Sequence, residues 1–454
     1  SKFREFGLQD IGRHSFKVTI PLDEGAYIET SRGERIRVYP LFPNRVCPPQ
    51  TPPGGLKGKL VYVGYGDYSE LDGKDLYGNI VVMEFNSQYH WITAAKLGAS
   101  AVVFLEPDWT TSVEARMKQL ETVAWNFVRV YAKGDEARRI RELAEKGEAV
   151  TLVSNMKWRT VESYNVIGYV YGQRRDEYVI ISAQYDSFSW IPSVAPGARE
   201  AIGTAIMLQL ARYFAKNPGL SKYTLVFIAF SGTNQGVIGS RWFVKDYIEG
   251  KWTEWGRKVR LQMEIGIDDA NRYLMPVHVQ GWTYGWNEGT APWLSNFESW
   301  LFKTVIPDLA SRLGRPQLVS DLLIGRGWIP RDLLGAGGPG HGIVYNDFIG
   351  APFMYRNHEP LLVCGGPGIA WANLYGYSVS YWCPSDTPEG INWDNIRFKL
   401  EMLYPLIYAT LNVELSELIG SWSPGPPGMY YPKWVDVSGQ IIEYNIETGW
   451  WDIP

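Results

Sequence analysis

The chain has little of what grips soft metals or staples small folds. Three cysteines, Cys47, Cys364 and Cys383, are spread over 454 residues. They permit one disulfide at most, and no Cys-x-x-Cys or zinc-ribbon spacing is present. They read as free thiols or one optional pair. Histidine is as sparse, with five: His14, His90, His278, His341 and His358. No apolar run reaches the roughly 20 residues of a membrane-spanning helix. No Asn-x-Ser/Thr sequon occurs, so N-glycosylation has no support. The formal net charge is −4 and no stripe of Lys or Arg is visible, which argues against nucleic acid as a partner. The start, Ser1 to Asp10, is polar and lacks an apolar signal core. It fits a cytosolic chain or one whose leader has been removed.

Aromatics, in contrast, are abundant, with 20 Trp and 28 Tyr. Such side chains stiffen cores and anchor interfaces. An apolar fraction of 45% is enough for a large core, and the length allows two or three domains. Few cysteines beside much Glu, Arg, Tyr, Val and Ile is a composition of heat-adapted proteins.

Alternating runs at 16–20, 26–29 and 36–39 predict hairpin strands, and the Pro-rich segment 40–53 predicts a crossing between domains. Strands are expected at 56–63 and 75–83, a helix at 92–97, and a buried strand at 98–104. Residues 136–148 carry charge at helical spacing and read as an exposed helix face. From Tyr164 strands alternate with helices, the pattern of an α/β sheet. Strands are expected at 165–171, 178–183, 223–230 and 259–265, and helices at 200–216, 236–248, 293–313 and 398–418. The tail, 420–454, is rich in Pro, Gly and Trp, with strand-like runs at 434–437 and 440–444.

Five motifs stand in order: Asn165-Val166-Ile167-Gly168; the strand Tyr178 to Ser187 ending Ala183-Gln184-Tyr185-Asp186-Ser187; Pro196-Gly197-Ala198-Arg199-Glu200-Ala201-Ile202-Gly203-Thr204-Ala205; Phe230-Ser231-Gly232-Thr233-Asn234-Gln235-Gly236; and Tyr381-Trp382-Cys383-Pro384-Ser385-Asp386-Thr387. Together they resemble the co-catalytic zinc peptidase superfamily of aminopeptidases, glutamate carboxypeptidase and transferrin receptor. The order of elements across 45–155 resembles the protease-associated domain. The resemblance implies a mixed, mostly parallel α/β sheet flanked by helices, plus a smaller β-rich protease-associated domain. It implies an N-terminal β segment (1–44) packing on the peptidase-like domain, the protease-associated domain (45–157), the peptidase-like domain (158–419) and the tail (420–454).

That family needs two His, a bridging Asp and further carboxylates around two zinc ions. The resemblance places Gln184 at the first His, Arg199 at the bridging Asp, Thr233 at the general base and Asn234 at the next ligand. It places Gln262, or Glu264 if the register slips by two, at the fourth ligand, and Trp382 at the last His. The third motif is one residue shorter than the family's. Asp186 keeps the carboxylate that would orient the first His. Thr and Asn cannot take a proton from zinc-bound water at neutral pH, and a guanidinium repels cations. A partner for Arg199 is expected in Asp186 or Glu264, since a buried unpaired Arg is costly. The alternatives are an outward-pointing Arg199, or a ligand carboxylate held in the old cleft by Arg199, Glu264 and Trp382. Asp268-Asp269 reads as a solvated turn, and the glycine-rich runs 335–340 and 365–368 as loops. His341 and His358 flank 346–352, which resembles the family's substrate-side loop, and a relocated metal site on them is the remaining catalytic option.

The expectation is a catalytically inactive homologue without a metal cofactor. Its role would be structural, in self-assembly as an oligomer or filament, or in binding another surface protein. By analogy with relatives that carry protease-associated domains, it would sit at the cell surface or outside the cell. The alternatives are an active metallopeptidase with a rebuilt site, and a peptide- or sugar-binding module using the old cleft.

Overall fold

A computed structural model of the chain describes residues 2–120, 123–249, 254–272, 274–277, 296–297, 300–316, 356–364, 366–373, 377–420 and 422, with the short strands 434–435, 441–445 and 450–452. Thirteen strands form one sheet: β1 (Gln9–Thr30), β2 (Arg35–Arg37), β3 (Tyr39–Pro40), β4 (Leu56–Tyr62), β5 (Ile80–Glu84), β6 (Ala101–Leu105), β7 (Val128–Ala132), β8 (Ala149–Val170), β9 (Arg174–Gln184), β10 (Tyr223–Phe230), β11 (Val259–Gly266), β12 (Leu274–Val277) and β13 (Gly368–Asn373). The order is β12-β13-β11-β9-β10-β8-β4-β5-β6-β7-β3, with β1 joined to β8 and β2 to β1.

In the larger half, β9 runs parallel to β10 and β11, and β11 parallel to β13. β8 and β12 close this block as antiparallel flanks. All eight residues of β10 are buried, as expected for a strand covered on both faces. One face receives the helix Glu200–Lys216, which buries Ile202, Ile206, Met207, Leu210 and Phe214 at three- and four-residue spacing. The helix Trp393–Asn412 joins the same core. The opposite face packs Ile180, Val226, Ile228 and Phe230 against Phe243, Val244 and Ile248. Gly203 lets the first helix close on the sheet, because a Cβ there would lie 2.3 Å from the Ile265 carbonyl oxygen.

The strands expected at 165–171, 178–183, 223–230 and 259–265 and the helix at 200–216 form where the sequence places them. Other elements differ for identifiable reasons. The runs 16–20 and 26–29 are parts of one 22-residue strand, β1, which bends at a register shift between Asp23 and Ala26. β1 pairs with β8 from Gln9↔Tyr169 to Thr30↔Val150, so the boundary expected at 157/158 falls inside a continuous strand. The first part of the N-terminal segment packs on the larger half, through Phe3 and Leu8, through His14 against Phe243 and Tyr247, and through Phe16 and Val18 against Ile238. Ala26, Ile28, Ile36 and Val38 enter the core of the smaller half. That half is more than β-rich: β4 to β7 are parallel, with helices His90–Lys96 and Gly134–Glu145 on opposite faces. The expected helix 236–248 is α-helical over Ile238–Val244 and then widens into a π turn, Lys245–Glu249. The helix expected at 398–418 starts earlier, at Trp393, because the Asn392 side chain caps the Asn395 N–H. It stops at Asn412, and Leu415–Ile419 is a separate turn. Of the helix expected at 293–313, the described part is a π turn, Leu301–Val305, followed by Ile306–Arg312. No disulfide joins Cys47, Cys364 and Cys383.

Candidate functional site

The C-terminal ends of β9, β10 and β11 point the same way, and the sequence motifs gather there. Gln184 is the last residue of β9, and Glu200 is the first of its helix. Asn234 sits in the 3-10 turn Thr233–Gln235 after β10. That turn is held between two left-handed glycines, Gly232 (φ 71°) and Gly236 (φ 70°). Trp382, in the segment between β13 and Trp393, has a positive φ of 64°, an uncommon conformation for a bulky residue.

Glu200 is the centre of the arrangement. Its Oε1 accepts from Gln184 Nε2 at 3.1 Å, Asn234 Nδ2 at 3.0 Å and Trp382 Nε1 at 3.2 Å. Its Oε2 accepts from the Phe188 backbone N–H at 2.9 Å. Three positions that the resemblance assigns to metal ligands therefore converge on one carboxyl group. Glu200 is only 4% exposed. Burial pushes its pKa up to about 8, with nearby Asp186 adding to the rise, against the pull of its hydrogen bonds. Burial also raises Asp186, to about 6, although the Thr233 N–H donates to its Oδ2 at 3.0 Å.

Arg199 does not enter this group, nor does it pair with Asp186 or Glu264. Its Nε donates to Asp269 Oδ1 at 2.8 Å and its NH1 to Asp386 Oδ1 at 2.9 Å, while NH2 reaches the Gly390 carbonyl at 2.6 Å. Arg199, Asp269 and Asp386 are all buried. The outward-pointing alternative is thus excluded, and the guanidinium is occupied by two carboxylates and a carbonyl. Asp268 and Asp269 are not a solvated turn, since both are at most 5% exposed. Asp268 accepts from the Ala270 and Ser378 N–H groups, and Asp269 from the Asn392 N–H.

Gln262 and Glu264 lie on β11 but turn to the segment 356–358. Gln262 Nε2 donates to Ser182 Oγ and to the Asn357 carbonyl, each at 3.1 Å. Glu264 accepts from Asn357 Nδ2 at 3.1 Å and from the His358 backbone N–H at 3.2 Å, and its Oε2 lies 3.1 Å from His358 Nδ1. Burial would raise the Glu264 pKa, but His358 holds it below the ordinary carboxylate range. Thr233 bridges the two networks, its hydroxyl on the Asn357 side-chain amide and its N–H on Asp186. His358 is fully buried against Glu264. His278, His341 and residues 335–340, 346–352 and 365 lie outside the described residues.

The smaller half roofs the Glu200 group. Phe188 packs edge-on against Trp382 at 5.7 Å, Trp190 at 5.0 Å and Phe42 at 5.1 Å. Trp190, Ile191 and Cys383 join the core formed by Phe85, Trp91 and Tyr131 of the smaller half. Ser385 Oγ accepts from the Thr110 N–H at 2.9 Å across the junction.

The sequence reading missed Glu200 because the shortened motif admits two registers. The geometry selects the second, with Glu200 rather than Arg199 facing Gln184, Asn234 and Trp382.

The comparisons with known proteins converge on the same lineage. Residues 165–277 match the model of peptidase family M28. The chain is related to the co-catalytic zinc peptidases. It is 33% identical to human transferrin receptor protein 2 over 106 residues, which is 22% of this chain and 13% of that protein. It is 28% identical to a glutamate carboxypeptidase 2 homolog of Caenorhabditis briggsae over 108 residues, 23% of this chain and 13% of that protein. The matched stretch is thus a small part of either relative. Among solved structures, a zinc aminopeptidase from Bacillus subtilis has a TM-score of 0.50 at 16% identity, covering 93% of this chain and 90% of its own. Nicastrin, the gamma-secretase component, has a TM-score of 0.50 at 11% identity, covering 91% and 76%. At such identities the likeness is one of fold.

Zinc does not fit the residues present at this point of the fold. Zinc takes imidazole, thiolate or carboxylate. Around Glu200 the facing groups are two amide N–H donors and an indole N–H, which has no lone pair to give. Among the described residues, no group of three or more His, Cys, Asp or Glu could hold a metal.

Proposed function

We propose that this protein is a non-catalytic member of the zinc peptidase superfamily, kept as a scaffold for self-assembly or for binding another protein, at the cell surface or outside the cell. One observation carries the reading: Gln184, Asn234 and Trp382 spend their polar atoms on Glu200. Hydrogen bonds there take over the cross-linking that two cations would give. Thr233, at the general-base position, uses its hydroxyl on Asn357 and has no carboxylate of its own with which to activate water. The old cleft is a poor ligand site for the same reason, because Arg199 and Trp382 are both engaged. Nicastrin and transferrin receptor protein 2 support the reading by name, one a component of a larger assembly and the other a receptor.

The test is elemental analysis of the purified protein together with hydrolysis of aminoacyl and peptidyl substrates, with and without a chelator. The expected result is substoichiometric zinc and no chelator-sensitive turnover. Stoichiometric metal with turnover abolished by Glu200→Ala would overturn the proposal in favour of a rebuilt peptidase.

A further inference from the structure

The smaller half carries an unusual surface. Tyr68 and Tyr77 are each 83% exposed, and both line one groove of about 730 Å³ with Leu71, Leu76 and Leu97. Tyr65 and Leu97, at 52% and 51% exposed, extend the apolar area. Large rings held this far into water are characteristic of binding surfaces. Asp72 and Asp75 line the same groove, and neither has an ion-pair partner among the described residues. Asp67 lies beside them, 3.5 Å from the His90 ring. Lys74, the cation of the groove, donates its ammonium to the Tyr62 carbonyl at 2.8 Å. Tyrosine faces beside carboxylates that lack an ion-pair partner suit Arg or Lys side chains, which gain both a ring and a counter-ion.

The larger half carries a surface of the opposite sign. The helix Lys2–Phe6 lies against the helix Glu200–Lys216. Together they expose Arg4, Arg212 and Lys216, none with an ion-pair partner among the described residues. Lys2 is also exposed and is paired with Glu5. Tyr213, 52% exposed, sits among them.

We infer that the acidic tyrosine groove of one copy receives the basic corner Arg4, Arg212 and Lys216 of a second copy. The inference rests on the self-assembly part of the proposed function and is independent of whether the protein is catalytic. The two patches are different surfaces of one chain, so the contact is head-to-tail. Such a contact repeats, giving a ring or a filament according to the rotation between copies. Solvent-exposed charges at both faces make it weaken with salt.

Sedimentation velocity of the full chain over a wide concentration range, at low and high salt, tests this. Concentration-dependent growth at low salt is expected, reduced by salt. Tyr77→Ser, which leaves charge unchanged, is expected to weaken association roughly tenfold, the loss of one well-buried aromatic contact. The pair Asp72→Lys and Asp75→Lys should abolish growth, as should Arg212→Glu with Lys216→Glu. A chain carrying all four reversals should assemble again. The altered residues are exposed, so circular dichroism should show an unchanged fold. A monomer at every concentration, assembly indifferent to the groove variants, or no recovery in the four-fold variant would each overturn the inference. None of these outcomes bears on the zinc and turnover measurements.

Discussion

Glu200→Gln separates a neutral hub from a charged one. In the folded chain Glu200 is raised from an ordinary value near 4.5 to about 8. A carboxyl that holds its proton more tightly when folded favours folding most at low pH. Its contribution is complete below about pH 4.5 and is lost as pH climbs to about 8. Across that whole span the difference amounts to about 5 kcal/mol, of which about 3–4 kcal/mol falls between about pH 5 and pH 8. Gln is neutral at every pH and keeps one carbonyl oxygen for Gln184, Asn234 and Trp382. It turns an NH₂ toward the Phe188 N–H, losing the bond made by Oε2. Leaving that buried donor unmet costs about 1–3 kcal/mol. The variant should therefore be less stable than the parent near pH 5 by about that amount. By about pH 8 the order should close or reverse, because only the parent then carries an ionised buried carboxylate. Urea denaturation of both proteins at several pH values measures the gap directly. A gap that stays constant from about pH 5 to pH 8 would show that Glu200 is ionised throughout in the folded state, and the neutral-hub reasoning would fail.

Two further changes probe the supports of the site. Arg199→Met leaves Asp269 and Asp386 buried without their cation and should cost about 3–5 kcal/mol in chemical denaturation; adding Asp269→Asn and Asp386→Asn should recover a large part of that. If Arg199→Met alone is neutral, the guanidinium is not what holds those acids. Gly203→Ala should destabilise by about 1–3 kcal/mol even though Ala favours helix by about 1 kcal/mol, since its Cβ would lie 2.3 Å from the Ile265 carbonyl oxygen; an unchanged denaturation midpoint would show that the helix can lift off the sheet freely.

The elements most legible in the sequence were those whose local signal and tertiary environment agree. Tyr223 to Phe230 is apolar throughout and lies buried at the centre of the sheet. Glu200 to Lys216 repeats apolar residues at helical spacing and packs as that spacing demands. The length of β1 was hidden because Pro21, Asp23, Glu24 and Gly25 look like a turn between two strands. They form a bend instead, where Arg37 binds Asp23 and the Gly25 N–H donates to the Asp23 side chain at 2.8 Å. The site was legible as a set of positions and illegible as a network. The residues at 184, 199, 234 and 382 differ from the ligand types that the resemblance expects there, but hydrogen-bond partners depend on side-chain direction. A one-residue shortening in a loop moves Arg199 from the centre to the rim and brings Glu200 in. Asp268 and Asp269 were misread for a similar reason, since a pair of carboxylates after a strand is solvated unless something distant covers it. Here Arg199, Asn392 and Lys399 do so.

In the proposed reading, a cavity shaped for two cations cannot stay open at no cost without them. Its walls are strand ends and turns whose polar groups would face one another without water or a counter-charge. Two solutions are open to a sequence: fill the space with apolar bulk, or connect every group to one acceptor. This chain combines them. Trp382 supplies bulk, packing edge-on to Phe188, and also an indole N–H for Glu200. Its backbone is held at a positive φ of 64°, a strain of about 1–3 kcal/mol that surrounding contacts must offset. The smaller half helps by pressing Phe42 onto Phe188, so the roof of the old cleft and the plug within it are one packed unit. The same packing ties the two halves together. Fixed halves are what a head-to-tail contact between the tyrosine groove and the basic corner requires, because those patches lie on different halves and their relative placement sets the geometry of the assembly.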